Sequence, residues 1–219
     1  MADQIQVLIA DDHRLFREGL RLILAQEKEI AVVGEASDGQ KTVDLAGRLK
    51  PDVALLDITM PLMTGIEIIL PIRQRSPKTK SLMLTASQDE AKIFGALKAG
   101  AKGYLSKNTS ACDLIKAIRS VHQGDMWVER KLIAKYFETE ANANFPVPDQ
   151  EDMPTEPFTP REHEVLLCLA KGCTNKEIAE ALFIAEKTVK SHLTRIFRKL
   201  NVPGRFQAIL YAIQLGLKS

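Results

Sequence analysis

The 219-residue sequence lacks the features that mark disulfide-rich, zinc-binding and membrane-spanning proteins. Its three cysteines are an odd number without a CxxC pair, which argues against a disulfide framework or a zinc site and predicts reduced packing residues. No apolar run approaches the roughly 18 residues that cross a bilayer, and an acid stands near the N-terminus where a secretory signal has basic residues. We therefore expect a cytoplasmic protein that does not bind a membrane.

A large net charge is also absent, but the two ends of the chain differ in sign. Residues 155–219 contain ten basic and six acidic residues, whereas the rest contains twenty basic and twenty-two acidic residues. Residues 138–157 contain four prolines and six acids with no Lys or Arg, which is typical of a linker. The sequence predicts a first domain over residues 1–124, a linker with a short helix over 125–154, and a basic domain over 155–219 that binds a polyanion.

Five short apolar runs in the first domain predict β-strands, at Ile5–Ala10, Ile30–Ala36, Val53–Asp57, Ser81–Thr85 and Gly103–Ser106. The segments between them have apolar residues at helical spacing. In the last such segment Ser110 is placed to cap the helix, and the buried stripe consists of Leu114, Ala117, Ile118 and Val121. This alternation predicts a parallel sheet with helices on both faces, in which ligands bind at the carboxyl ends of the strands.

Polar residues stand at or just after the carboxyl ends of four predicted strands: Asp11, Asp12, Asp57, Thr85 and Lys107. Three carboxylates that converge repel one another unless a cation lies between them. Mg²⁺ suits such a site, with Asp12, Asp57 and the main-chain carbonyl of Thr59 as protein ligands and Asp11 acting through a water. Because Mg²⁺ prefers oxygen to imidazole, we do not expect the neighbouring His13 to be a ligand.

An aspartate carboxylate can also attack phosphorus and form an aspartyl phosphate. Asp57 is the predicted nucleophile, because it lies between the predicted metal site and Lys107. The Lys107 ammonium would neutralise the phosphoryl oxygens, and Thr85 would supply a hydroxyl to the product.

These motifs resemble the receiver domain of bacterial two-component response regulators. The resemblance covers residues 5–122 and is carried by VLIADDH, LLDITMP followed by TGIE, MLTAS and KGYLSK. It implies a doubly wound, flavodoxin-like (βα)5 fold with strand order 2-1-3-4-5. It also implies that Asp57 accepts phosphate from a sensor histidine kinase and that Thr85 and Tyr104 form a coupled switch.

Two residues depart from the receiver pattern. Asn108 follows Lys107 where receivers often have proline, and Pro71 falls inside the expected third helix. Because proline lacks an N–H and clashes with the preceding turn, we expect that helix to kink or end near Leu70.

The basic domain has the pattern of an all-α, four-helix unit. Two capping boxes, at Thr159–Glu162 and Thr174–Glu177, open two helices, of which the first is ended by Gly172 and the second runs through Leu182. A short turn then leads to a longer helix over Glu186–Leu200, and two helices joined so closely predict a helix-turn-helix. The longer helix has one apolar stripe and one basic stripe interleaved with small polar residues, which suits the DNA major groove.

Residues 158–217 resemble the LuxR/NarL-type helix-turn-helix, through LFIAEKTVKSHLTRIFRKL. The resemblance places Lys190, Ser191 and Thr194 nearest the base edges. It places further residues toward the DNA backbone, namely Asn175, Lys176, Lys187, Thr188, Arg195 and Lys199. Ala185 stands where the family usually has a capping serine, which should cost about 1 kcal/mol.

The last helix has an apolar stripe that the domain core and a second subunit can share, formed by Phe206, Ile209, Leu210, Ile213 and Leu217. Because paired half-sites in DNA require a dimer, we expect a homodimer on phosphorylation or DNA binding.

The sequence thus predicts a phosphorylation-switched, DNA-binding transcriptional regulator rather than an enzyme. Two alternatives remain open. One is an aspartyl-phosphate phosphatase, although the second aspartate of its DxDxT loop is missing, because Thr59 stands there. The other is a regulator with the same DNA-binding tail and a small-molecule sensory domain, which would need an apolar ligand pocket.

Overall fold

The computed structural model describes residues 4–86, 89–128, 132, 157–202 and 204–214. The chain divides into two compact units, Met1–Trp127 and Val128–Ser219. Apart from residues 125–128 and 132, the predicted linker and its short helix lie outside the described residues. None of the described helices is both long enough and apolar enough to span a membrane.

The first unit is a five-stranded parallel sheet with the strand order β2-β1-β3-β4-β5. The predicted order and all five predicted strands are confirmed, and β4 begins one residue earlier than expected. The strands are β1 (Ile5–Ala10), β2 (Ile30–Ala36), β3 (Val53–Asp57), β4 (Lys80–Thr85) and β5 (Gly103–Ser106). The helices are α1 (Arg14–Leu24), α2 (Gly39–Leu49), α3 (Ile69–Arg75), α4 (Glu90–Ala99) and α5 (Ala111–Gln123).

The burial of β3 and α5 explains why their apolar patterns predicted them from the sequence. All five residues of β3 are buried, as expected for a central strand that is covered on both faces. In α5 the Ser110 side chain accepts a hydrogen bond from the main-chain N–H of Asp113, and the predicted apolar stripe is buried. Both predictions for this helix are therefore confirmed.

The predicted kink or end of the third helix near Leu70 is wrong. The helix does not end near Leu70 but begins at Ile69, so Pro71 lies in its first turn. The first four N–H groups of a helix have no partner within it, so the missing N–H of proline costs no helical hydrogen bond there. The helix then continues to Arg75.

The second unit contains four described helices, α6 (Pro160–Ala170), α7 (Asn175–Leu182), α8 (Glu186–Lys199) and α9 (Arg205–Gln214). Both predicted capping boxes are present, at Thr159 and Thr174. Ala185 precedes α8 without a side-chain cap, as expected. Of the predicted stripe on α9, the Ile209 side chain is buried, and the other four side chains lie outside the description.

Candidate phosphoacceptor site and nucleic-acid interface

The predicted acidic site forms at the carboxyl edge of the sheet. Asp57 ends β3 and is almost fully buried, and Lys107 follows β5. The Nζ atom of Lys107 lies 2.7 Å from Oδ2 of Asp57 and 2.7 Å from Oδ2 of Asp11. Residues that are 46 and 50 positions apart from Asp57 thus meet because neighbouring parallel strands end at the same edge.

The loop after β3 packs closely against the end of this strand. The main-chain N–H of Gly65 donates to the carbonyl oxygen of Ile58 at 3.0 Å. A Cβ atom at Gly65 would collide with the carbonyl oxygen of Asp57. The loop after β3 therefore needs glycine at this position, and its close approach fixes the backbone that carries the Asp57 carboxylate.

Three side chains complete the surroundings of the acids, and the sequence reasoning assigned a role to none of them. Nδ1 of His13 lies 2.7 Å from Oδ1 of Asp12 and 3.3 Å from Oδ1 of Asp11. Arg17 donates to the carbonyl oxygen of Asp11 at 2.6 Å, and the Phe16 ring centre lies 4.9 Å from Nζ of Lys107. All three residues lie within six positions of Asp11, so the helical spacing of α1 was the available signal.

The donor set fits Mg²⁺. One ligand atom from each of Asp11, Asp12, His13 and Asp57 can be chosen so that all lie within 4.8 Å of one another. The buried Oδ2 of Asp11 lies 2.7 Å from Nζ of Lys107 as an ion pair and has no other partner among the described residues. A buried carboxylate oxygen with free acceptor capacity is suited to a hard cation or to a water bound to one.

The pKa values of both central groups are raised, for different reasons. Burial raises the pKa of Asp57 above its usual range, although the hydrogen bond from Lys107 acts against this. Burial lowers the pKa of Lys107, but its ion pairs with Asp57 and Asp11 outweigh burial and leave that pKa above its usual value. Lys107 therefore keeps its positive charge at neutral pH.

The remaining predicted residues of this site lie on the adjoining strands and loop. Thr85 is buried at the end of β4, and its carbonyl oxygen accepts the main-chain N–H of Lys107 at 2.8 Å. Tyr104 is half-buried on β5, and its main-chain N–H donates to the carbonyl oxygen of Trp127 at 3.1 Å. Thr59 is exposed, and its N–H donates to Oδ1 of Asp57 at 3.3 Å.

In the second unit, α8 shows the two faces that the sequence predicted. Its buried residues are Val189, Leu193 and Ile196. Its exposed residues include all six that were predicted to face DNA from this helix and lie before Lys199: Lys187, Thr188, Lys190, Ser191, Thr194 and Arg195. Lys176 is exposed on α7 as well. A basic surface with short polar side chains is therefore available to a polyanion.

Two residues that were predicted to lie toward the DNA backbone have partners inside the protein instead. Asn175 is 1% exposed, and its Oδ1 accepts a hydrogen bond from the buried Arg205 at 2.9 Å. Nζ of Lys199 lies 2.8 Å from Oε2 of Glu162 and donates to the carbonyl oxygen of Pro157 at 2.9 Å. Contact of these side chains with DNA would require them to leave these partners, so their predicted place toward the DNA backbone stays a prediction.

Comparison with known proteins identifies the family of both units. The family model for the response regulator receiver domain matches residues 7–119, and the model for bacterial regulatory proteins of the luxR family matches residues 156–212. The transcriptional regulatory protein DegU of Brevibacillus brevis is 39% identical over 98% of this chain and 95% of its own length. The receiver match covers the region that one alternative assigned to a small-molecule sensory domain.

Solved structures extend the agreement to the whole chain. The response regulator ChrA of a heme-sensing two-component system is 34% identical, with a TM-score of 0.51 over 98% of this chain and 99% of ChrA. A structure of two RcsB dimers bound to two parallel DNAs is 25% identical, with a TM-score of 0.55 over 97% of this chain and 100% of that one. The chain belongs to the family of DNA-binding transcriptional response regulators that join a receiver domain to a LuxR-type helix-turn-helix domain.

Proposed function

We propose that this chain acts in the cytoplasm, that Asp57 accepts a phosphoryl group from a sensor histidine kinase, and that this switches the binding of operator DNA by α8. The observation that carries the proposal is the position of the Asp57 carboxylate, which is buried against the Lys107 ammonium and clustered with Asp11 and Asp12. A nucleophile, a cation and two further acids meet at the sheet edge where ligands bind.

The side chains divide the chemistry between them. A carboxylate oxygen of Asp57 attacks phosphorus, and the Lys107 ammonium neutralises the phosphoryl oxygens as their charge redistributes. Mg²⁺ held by Asp12, Asp57, the Thr59 carbonyl and, through water, Asp11 would supply further positive charge to the transferring group.

Phosphorylation changes the partners of Lys107 and therefore the loops around it. Before transfer, Lys107 is shared between two carboxylates. After transfer, the Asp57 oxygen is bonded to phosphorus in an acyl phosphate, and Lys107 is drawn toward the phosphoryl oxygens. The buried Thr85 hydroxyl supplies a donor to the same group, and Tyr104 on β5 responds to the new position of Thr85.

On the DNA side, we propose that Lys190, Ser191 and Thr194 face base edges and that Lys176, Lys187, Thr188 and Arg195 face phosphates. All seven side chains are exposed. The name of the RcsB structure describes dimers on DNA, which supports a homodimer as the DNA-binding form of this chain.

The test is phosphotransfer to Asp57→Asn in the full-length chain. With Mg²⁺ and a small phosphodonor, the wild type should gain one phosphoryl group and bind its operator more tightly, and the variant should do neither. Asp44→Asn is the matched control, because it removes the same charge from an exposed position on α2. A phosphodonor response in Asp57→Asn equal to that of the wild type would contradict the assignment, and sustained hydrolysis of phosphate esters would favour the phosphatase alternative.

A further inference from the structure

Two cysteines are joined by a main-chain hydrogen bond at the end of α6. The helix ends at Ala170, and Gly172 then adopts the left-handed conformation with φ 75°. The main-chain N–H of Cys173 donates to the carbonyl oxygen of Cys168 at 3.2 Å. This is the long hydrogen bond of a Schellman motif, in which the side chain after the left-handed residue folds back over the last turn of the helix.

The hydrogen bond limits how far apart the two residues lie. With standard bond lengths, a nitrogen-to-oxygen distance of 3.2 Å allows the two Cα atoms to be at most about 7 Å apart. Disulfides join residues whose Cα atoms are usually about 4.4 to 6.8 Å apart. Both thiols are free and half-buried, so they are partly accessible to a small oxidant.

We propose that Cys168 and Cys173 form a thiol pair that a peroxide oxidises to an intramolecular disulfide. In the first step, the Cys173 sulfur attacks the peroxide O–O bond and becomes a sulfenic acid, and an alcohol or water leaves. In the second step, the Cys168 sulfur displaces hydroxide from this sulfur, and water leaves with the thiol proton. Two thiols thus lose two electrons to one peroxide.

The order of the steps follows from the surroundings of Cys168. Burial raises the pKa of the Cys168 thiol, and the nearby Cys173 adds to this effect. Because the thiolate is the nucleophile, Cys173 is the thiol that meets the oxidant and Cys168 resolves the sulfenic acid.

The pair lies where a small displacement reaches the DNA-binding helices. The carbonyl oxygen of Cys173 accepts a hydrogen bond from the buried Arg205, which also holds Asn175. The next residue, Thr174, caps α7. A disulfide brings the two sulfur atoms to about 2.05 Å, well inside their contact distance as thiols. We therefore expect the bond to perturb the backbone of Cys173, which Arg205 contacts and which directly precedes the cap of α7.

The full-length protein offers a direct assay for the bond, because Lys171 is a trypsin site between the two cysteines. The reduced protein is treated with hydrogen peroxide, blocked with a maleimide, digested and analysed by mass spectrometry without reduction. We expect the peptides 162–171 and 172–176 to appear joined, with two hydrogens fewer than their sum. The exposed Cys112 serves as the internal control, since it has no partner in this motif.

Two variants separate the chemistry from its consequence. In Cys168→Ser the joined peptides should disappear, and a sulfenic acid at Cys173 should become trappable by dimedone. In Cys112→Ser the joined peptides should persist. If the peroxide fully oxidises Cys112 while the peptides 162–171 and 172–176 remain separate, the thiol-pair proposal is overturned.

The effect of the disulfide on operator affinity is measured with the oxidised Cys112→Ser variant. This part of the proposal rests on the proposed DNA-binding function. We expect operator affinity at least tenfold weaker than that of the reduced protein, with recovery on reduction. Unchanged affinity after complete joining of the peptides would overturn the regulatory part alone. Loss of DNA binding by the reduced protein would instead count against the proposed function.

Discussion

Replacing Lys107 by glutamine tests the central electrostatic feature of the receiver unit. The substitution removes the cation from between Asp57 and Asp11, whose side chains are 4% and 0% exposed. Carboxylate oxygens of these two residues lie within 4.8 Å of each other. At an effective dielectric constant near 20, two unit charges at that separation repel by about 3.5 kcal/mol. We therefore expect Lys107→Gln to lower the free energy of unfolding by about 3 kcal/mol without divalent metal.

Magnesium should reverse much of this loss. If the acids form a metal site, Mg²⁺ neutralises the same carboxylates that Lys107 neutralises in the wild type, so the variant should gain more stability from Mg²⁺ than the wild type does. Urea unfolding in chelator and in excess Mg²⁺ measures both quantities. Trp127 is the only tryptophan and packs against the receiver core, so its fluorescence reports on this unit.

Lys116→Gln is the matched control for this measurement. Lys116 is exposed on α5, and its Nζ atom lies 3.3 Å from the half-exposed carboxylate of Asp113. Surface pairs of this kind contribute about 0 to 1 kcal/mol, so this variant should differ little from the wild type. The electrostatic reasoning would be refuted if Lys107→Gln lowered the free energy of unfolding by less than about 1 kcal/mol. It would also be refuted if Mg²⁺ stabilised Lys107→Gln and the wild type equally.

Three further predictions concern other parts of the chain. Burial acts to raise the pKa of Glu162, but Lys199 and a main-chain N–H outweigh burial and hold this pKa below its usual value. The helical domain should therefore lose stability as the pH falls below about 4.5. Thermal unfolding measures this loss, and Glu162→Gln should make it smaller. Gly103→Ala would place a Cβ 2.5 Å from the carbonyl oxygen of Trp127, so it should shift the tryptophan emission and destabilise by about 1 to 3 kcal/mol; unchanged spectra would contradict the contact. Lys190→Ala should weaken operator binding by about 1 to 3 kcal/mol and spare unrelated DNA if Lys190 contacts a base, whereas an equal loss on both DNAs would indicate a phosphate contact.

The sheet and the clustering of the acidic residues were predictable because both follow from one-dimensional patterns. A buried parallel strand such as β3 requires a continuous apolar run, and the residue that ends this run necessarily lies at the carboxyl edge. Topology alone therefore brought Asp57 and Lys107 together. The capping boxes were equally local, since Thr159 and Glu162 need only each other and the backbone between them.

The sequence did not show where an element begins or what packs behind it. Pro71 was read as a helix end because the pattern did not show that α3 starts only two residues earlier. Asn175 and Lys199 have the residue types of DNA contacts, and only the fold shows that Arg205 and Glu162 already hold them. A single sequence gives no sign of partners 30 and 37 positions away.

The short strand β5 connects the predicted switch to the start of the linker. Lys107 directly follows this strand and is bound through its main chain to Thr85. On the opposite edge of the strand, Tyr104 donates to Trp127, and Trp127 in turn donates to the carbonyl oxygen of Lys102 at 3.0 Å. Because β5 is only four residues long and bonded on both edges, a shift that draws Lys107 toward a phosphoryl group strains the bonds to Trp127. On the proposed function, Trp127, the last residue of the receiver unit, is thus a point outside the sheet to which phosphorylation of Asp57 would be transmitted.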